Sequence, residues 1–216
     1  MLYSELISNP DCELLDEVKH DEMMNFIVAE LQKQPPFARI ANMYQLTGLL
    51  AFVIGGFSAF KLFFTNRETV YLWWLLAGII FTFSILIALH ELIHAAAYRL
   101  VGAKKLSFGM NLRKFMFYVQ ADGQVLSFKQ FQIVALAPAI LVSVLSLIGM
   151  AVFYTHPAFY FFIPALGLHS IFCGGDFGLL CYFQNRSDKE ILTVDVKAES
   201  KTCFFECRNT KRLADK

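Results

Sequence analysis

The chain has 216 residues, of which 56% are apolar and only 17% charged, with a net charge of +1 and a mean hydropathy of +0.50. Soluble domains are about a quarter charged, so this composition, with its 23 phenylalanines, points to lipid-facing helices rather than an aqueous fold. The small net charge and the absence of a basic–aromatic pattern exclude nucleic acid as an expected partner, and the length fits one membrane domain with polar ends.

Residues 1–44 are acidic, with Glu5, Asp11, Glu13, Asp16, Glu17, Asp21, Glu22 and Glu30 against Lys19, Lys33 and Arg39. No basic stretch leads into an early apolar core, so no cleaved signal peptide is expected. Met23, Met24, Ile27, Val28 and Leu31 recur at helical spacing and predict a short amphipathic helix over 25–34, ended by Pro35-Pro36. Its acidic flank argues against strong binding to anionic lipid, so it is expected to pack on the cytosolic face of the domain.

Crossing about 30 Å of hydrocarbon takes roughly 20 helical residues. Four apolar runs meet that length: 46–64, 71–100, 131–154 with Pro138 inside it, and 159–183 with Pro164, His169 and Gly174-Gly175-Asp176. Between the second and third, Leu106, Phe108, Met110 and Leu112 alternate with small or polar residues. The block Phe115-Met116-Phe117-Tyr118-Val119 and, after a turn at 121–124, Val125, Leu126 and Phe128 complete two or three short strands. The tail alternates charge around Ile191, Leu192, Val194 and Val196, which predicts a short strand or a flexible arm. The expected fold is therefore mainly α and integral to the membrane: four transmembrane helices with a short β-rich loop between the second and third. An acidic, amphipathic segment (1–44) precedes the membrane domain (45–183), and a charged tail (184–216) follows it.

Arg99, Lys104, Lys105, Arg113, Lys114 and Lys129 crowd the connection between the second and third runs, whereas the opposite turns hold only Arg67, with Lys61 nearby. The positive-inside rule then places that connection and both termini in the cytoplasm, with a bacterial cytoplasmic membrane as the expected location. Cys12, Cys173, Cys181, Cys203 and Cys207 form no convincing disulfide framework, and a cytosolic tail keeps its thiols reduced.

Chemistry concentrates in the second run, at His90-Glu91-Leu92-Ile93-His94. Helical residues four apart share a face, so both imidazoles can grip one zinc ion, with Glu91 placed to take a proton from the attacking water. Imidazoles and a carboxylate near hydrocarbon need something to pair them, and a metal does so. The competing reading, histidines at a helix end against lipid headgroups, is outweighed by partners downstream.

Catalytic zinc usually takes a third protein ligand. Asp176, His169 and His156 are the candidates, and Asp176 is the best: it is the sole carboxylate between Asp122 and Asp188 and follows two glycines. His169, seven residues earlier, fits an alternative ligand or a donor that orients Glu91 or Asp176. Cys173 reads as a buried small residue or a soft ligand. His156, in a turn on the far side, and His20, in the acidic segment, read as ordinary surface residues. Pro138 reads as a simple kink.

The run through His90-Glu91-Leu92-Ile93-His94-Ala95-Ala96-Ala97, the strand-rich loop, Ala137-Pro138 and Gly174-Gly175-Asp176 together resemble the zincin-type membrane peptidases classified as domain of unknown function 3267. That family is itself similar to the site-2 proteases. The resemblance covers roughly residues 85–183 and implies His90, His94 and Asp176 as ligands of Zn2+, with Glu91 as general base. It departs from the site-2 pattern at the late aspartate, which those enzymes set in Leu-Asp-Gly or Asn-Pro-Asp-Gly; here Gly175 precedes Asp176 and Phe177 follows. The expected function is a zinc-dependent intramembrane metallopeptidase that acts on peptide or transmembrane-protein substrates, held extended by pairing with the 106–128 strands. The same strands can instead be a plain connector, and the competing function is a non-catalytic metal-binding membrane protein or scaffold.

Overall fold

The computed structural model describes residues 2–111 and 116–207. Leu112, Arg113, Lys114 and Phe115, expected in the strand-rich loop and including two of its cations, and residues 208–216 of the tail lie outside the described residues.

The elements run α1 (Tyr3–Ile7), β1 (Cys12–Lys19), α2 (Met23–Gln32), α3 (Pro36–Asn66), α4 (Val70–Phe83), α5 (Ile85–Leu100), β2 (Leu106–Asn111), β3 (Met116–Ala121), β4 (Val125–Ser127), α6 (Phe128–Val152), α7 (Phe159–Phe172), α8 (Gly174–Gln184), β5 (Ile191–Val196) and β6 (Lys201–Cys207). Three stretches are long and apolar enough to cross a membrane: Pro36–Asn66, Phe128–Val152 and Phe159–Gln184. The pair α4 and α5, bent by 46° at Ser84, makes a fourth if counted as one span.

Helices α2 and α6 begin two and three residues earlier than the sequence predicts, and two larger differences concern the spans. The first apolar helix starts at Pro36 rather than Leu46; a helix's first turn tolerates proline, whose missing N–H would have no partner there. The run 71–100 is broken at Ser84, where the Thr82 and Ser84 hydroxyls donate back to the Gly78 and Ile80 carbonyls. Such back-bonding competes with the backbone ladder and bends helices.

The chain divides into two compact units. One, residues 39–90 and 137–174, is helical. Here α4 lies against α7, and Gly78 makes the approach possible: any Cβ there would collide with the Phe161 backbone. Ala59, Leu75, Tyr160 and Ile163 form its buried cluster, bordered by Phe52 and Trp74. Gly48 and Gly167 bring α3 and α7 together in the same manner, as small residues do where apolar helices pack.

The other unit, residues 1–38, 91–136 and 175–216, carries the sheets. Four antiparallel strands stand in the order β1-β6-β5-β4, so both ends of the chain and the central loop contribute to one sheet. Strands are therefore not confined to the loop. Successive side chains alternate in direction, which sends Leu192, Val194 and Phe205 into a cluster with Leu6, and Ile191 and Phe204 into another with Val18, Tyr182 and Phe183. Register pairs Cys12 with Cys207, and the two form a disulfide across 195 residues, correcting the expectation of unpaired thiols. The remaining strands, β2 and β3, make a separate two-stranded sheet.

Helix α2 packs on α8, where Gly178 leaves room for Ile27. Next to it, the buried Glu30 carboxylate accepts hydrogen bonds from Lys33 (2.6 Å), Asn185 (2.7 Å) and Arg186 (3.2 Å). Arg186 also reaches Asp16 at 3.3 Å and lies over the Tyr182 ring.

Candidate metal centre

Helix α5 presents Leu89, Leu92 and Leu100 outward and buries Leu86, His90, His94, Ala97 and Tyr98 along one stripe. This is the 3.6-residue periodicity of a half-buried helix, with two imidazoles where apolar side chains would otherwise sit. His90 and His94 are each less than a tenth exposed.

His94 is held at both ring nitrogens. Its Nδ1–H donates to the Val134 carbonyl oxygen of α6 at 3.0 Å, and Nε2 faces Asp176 Oδ1 at 3.3 Å. Asp176 stands in the first turn of α8, where the aligned peptide dipoles favour a carboxylate. Gly175 has open space around it, so close backbone approach does not explain that glycine, whereas a Cβ on Gly174 would press on the Gln45 side chain. Only Cys173 separates α7 from α8.

His90 is held differently. Its Nδ1 lies 3.0 Å from Nε2 of His169, which is 1% exposed, and the two rings meet edge to face. Cys173 Sγ, fully buried, is 3.8 Å from His169 Nδ1. His90, His169 and Cys173 offer donor atoms within 4.8 Å of one another. His169 thus meets His90, a contact between residues 79 apart that helical spacing does not reveal.

Zinc fits the donor set. With ligand distances of roughly 2.0–2.1 Å, neighbouring corners of a tetrahedron are about 3.3–3.4 Å apart, the separation between His94 Nε2 and Asp176 Oδ1. In zinc sites the second ring nitrogen of a ligating histidine usually donates to a carbonyl, carboxylate or water, the role Val134 plays for His94.

The other histidines go elsewhere. His156 accepts the Ala158 N–H at 3.1 Å at the start of α7 and lies against Trp74 and Phe153. His20 is not a plain surface residue: its ring packs on Tyr118 and its Nδ1 is buried.

The model of a family described as "putative zincin peptidase", domain of unknown function 3267, matches residues 83–190, half of the chain. That stretch includes His90, Glu91, His94, Val134, Pro138, His169 and Asp176. No curated protein and no solved structure matches.

Proposed function

Since the chain belongs to this zincin peptidase family, we propose that it is a zinc-dependent intramembrane metallopeptidase, similar to the site-2 proteases, that hydrolyses peptide bonds of membrane-associated substrates. His90, His94 and Asp176 hold the metal, and the 3.3 Å approach of His94 to Asp176 within the family-matched region carries this reading. A bound zinc ion supplies Lewis acidity, polarising a carbonyl and bringing the acidity of water toward neutrality. Glu91, adjacent to His90 in the chain, accepts the proton of the attacking water and passes it to the leaving amine. His169 orients His90 through the Nδ1 contact.

A helical substrate shields its own amides and must be extended before attack. The two-stranded sheet β2–β3 supports strand pairing as the means, since among the described residues each of its strands pairs only with the other. Counting α4 and α5 as one span, four spans with both ends of the chain on the cytoplasmic side remain our reading, supported by the pairing of β1 with β6 in one sheet and by the basic residues between the second and third spans. That orientation has a direct test. A reporter fused after Lys216 should face the cytoplasm; a reporter facing outward, the side on which the Cys12–Cys207 bond persists without help, would overturn the orientation.

The function itself is tested by Glu91→Gln. Purified variant should retain one zinc per chain, while comparison of membrane proteomes shows loss of fragments cut near a span's cytoplasmic end. Unchanged proteomes with zinc retained would leave a non-catalytic metal-binding scaffold. Wild-type protein without stoichiometric zinc would reduce the His94–Asp176 contact to an ordinary ion pair.

A further inference from the structure

We infer that Pro138 is a positioning residue for the metal ligand His94, acting through the backbone carbonyl of Val134. In an α-helix each N–H donates to the carbonyl four residues earlier, so the Val134 oxygen would ordinarily be taken by the N–H of residue 138. Proline has none, and its ring also pushes against the carbonyl of residue i−4 and tilts it off the helix axis. Pro138 lies inside α6, an otherwise uninterrupted helix from Phe128 to Val152. The oxygen it leaves without a helical donor is the one that accepts His94 Nδ1–H at 3.0 Å.

The site needs this acceptor for a reason of tautomer. A metal on His94 Nε2 would require the ring proton on Nδ1, and the Val134 carbonyl, which can only accept, faces Nδ1 at 3.0 Å and holds that tautomer. Val134 is 2% exposed, so water does not readily replace the carbonyl. Freed backbone carbonyls at intramembrane prolines must find a new donor, and here the new donor is a ring N–H. The proline and the ligand satisfy each other.

This inference rests on the reading of His94 as a zinc ligand, and the experiment separates the two. Full-length protein in detergent is compared as wild type, Pro138→Ala, Pro164→Ala, and a form carrying lactic acid (the hydroxy analogue of alanine) at 138. Zinc affinity is measured by chelator competition, and the His94 Nδ1–H resonance by nitrogen-15 histidine spectra of the metal-free protein. Restoring an N–H at 138 should weaken zinc binding about tenfold, the lower end for loss of an outer partner, because a carbonyl can still accept a second bond. The hydrogen-bonded Nδ1–H signal should shift or broaden with it. Lactic acid, which lacks both the ring and the N–H, should bind as wild type does. Pro164→Ala, which removes a proline from the interior of α7, should leave both readouts unchanged.

Equal zinc affinity and an equal Nδ1–H signal in wild type and Pro138→Ala would overturn the inference while the zinc reading stands. Weakening by lactic acid as strong as that by alanine would also overturn it, since the ring rather than the missing N–H would then matter. Wild-type protein that binds no zinc would overturn the zinc reading and this inference together.

Discussion

The helical unit and the sheet-bearing unit satisfy their buried polar groups by opposite means. In the helical unit each backbone bond closes within four residues, and helix meets helix mainly through apolar side chains and glycines such as Gly78 and Gly167, with uncharged side-chain hydrogen bonds such as Ser58–Tyr160 and Tyr44–Ser143 among them. In the sheet unit the bonds join residues far apart in the chain, and a disulfide and charged side chains reinforce them: Cys12–Cys207, Lys201 with Glu17 and Glu199, and Arg186 with Glu30 and Asp16. The difference teaches where each is vulnerable. Redox state and pH should act on the sheet unit, and side-chain volume on the helical one.

The largest expected effect concerns the metal. Asp176→Ala removes a proposed ligand and should lower zinc affinity by well over about 100-fold, whereas His169→Phe, which removes only the partner of His90, should cost about 10- to 100-fold. Chelator competition on the two purified variants measures both. Equal losses would make His169 a ligand in its own right and shift the centre toward His90, His169 and Cys173.

Next in size is the disulfide. Cys12→Ser with Cys207→Ser should destabilise the sheet unit by about 2–4 kcal/mol. Amide hydrogen exchange would read this as faster exchange in β1, β5 and β6, with α4 and α7 unchanged. Acceleration in all of them would merge the two units into one cooperative whole.

The reciprocal experiment is Gly78→Val. Its side chain meets the Phe161 backbone, which cannot yield as a flexible side chain can, and the cost should be about 1–3 kcal/mol or more. Exchange in α4 and α7 should rise while β5 and β6 hold.

The same contrast explains what sequence reading captures. The apolar helices and the pairing of His90 with His94 are local periodicities, and Asp176 stands out as a lone carboxylate in an apolar run. The start of α3 escapes because Arg39, Asn42 and Gln45 dilute its first turns, and the break at Ser84 escapes because two hydroxyls barely lower a hydropathy average. The sheet of β1, β4, β5 and β6 depends on register between the two ends of the chain, and the disulfide follows from that register. Spacing carries no trace of either. The anchoring of His94 escapes for another reason: its acceptor is a backbone oxygen, and the signal is a proline four residues away.

The effect that vanishes under acid conditions is the one through Glu30. Burial alone would raise the pKa of this carboxyl, but the hydrogen bonds from Lys33, Asn185 and Arg186 outweigh it and hold the group below its ordinary 4.5. A carboxylate whose folded pKa is depressed stabilises the fold fully above its unfolded pKa, and that contribution disappears as the pH falls through the folded value. Hydrogen bonds to a charged group contribute about 1.5–3 kcal/mol, so Glu30→Gln should cost about that much near neutrality and progressively less below pH 4.5. Hydrogen exchange in α2 and α8 at neutral and acidic pH would show the two proteins converging on the acid side. Curves that stay parallel would assign the loss to packing rather than charge and remove pH from the list of what distinguishes the two units.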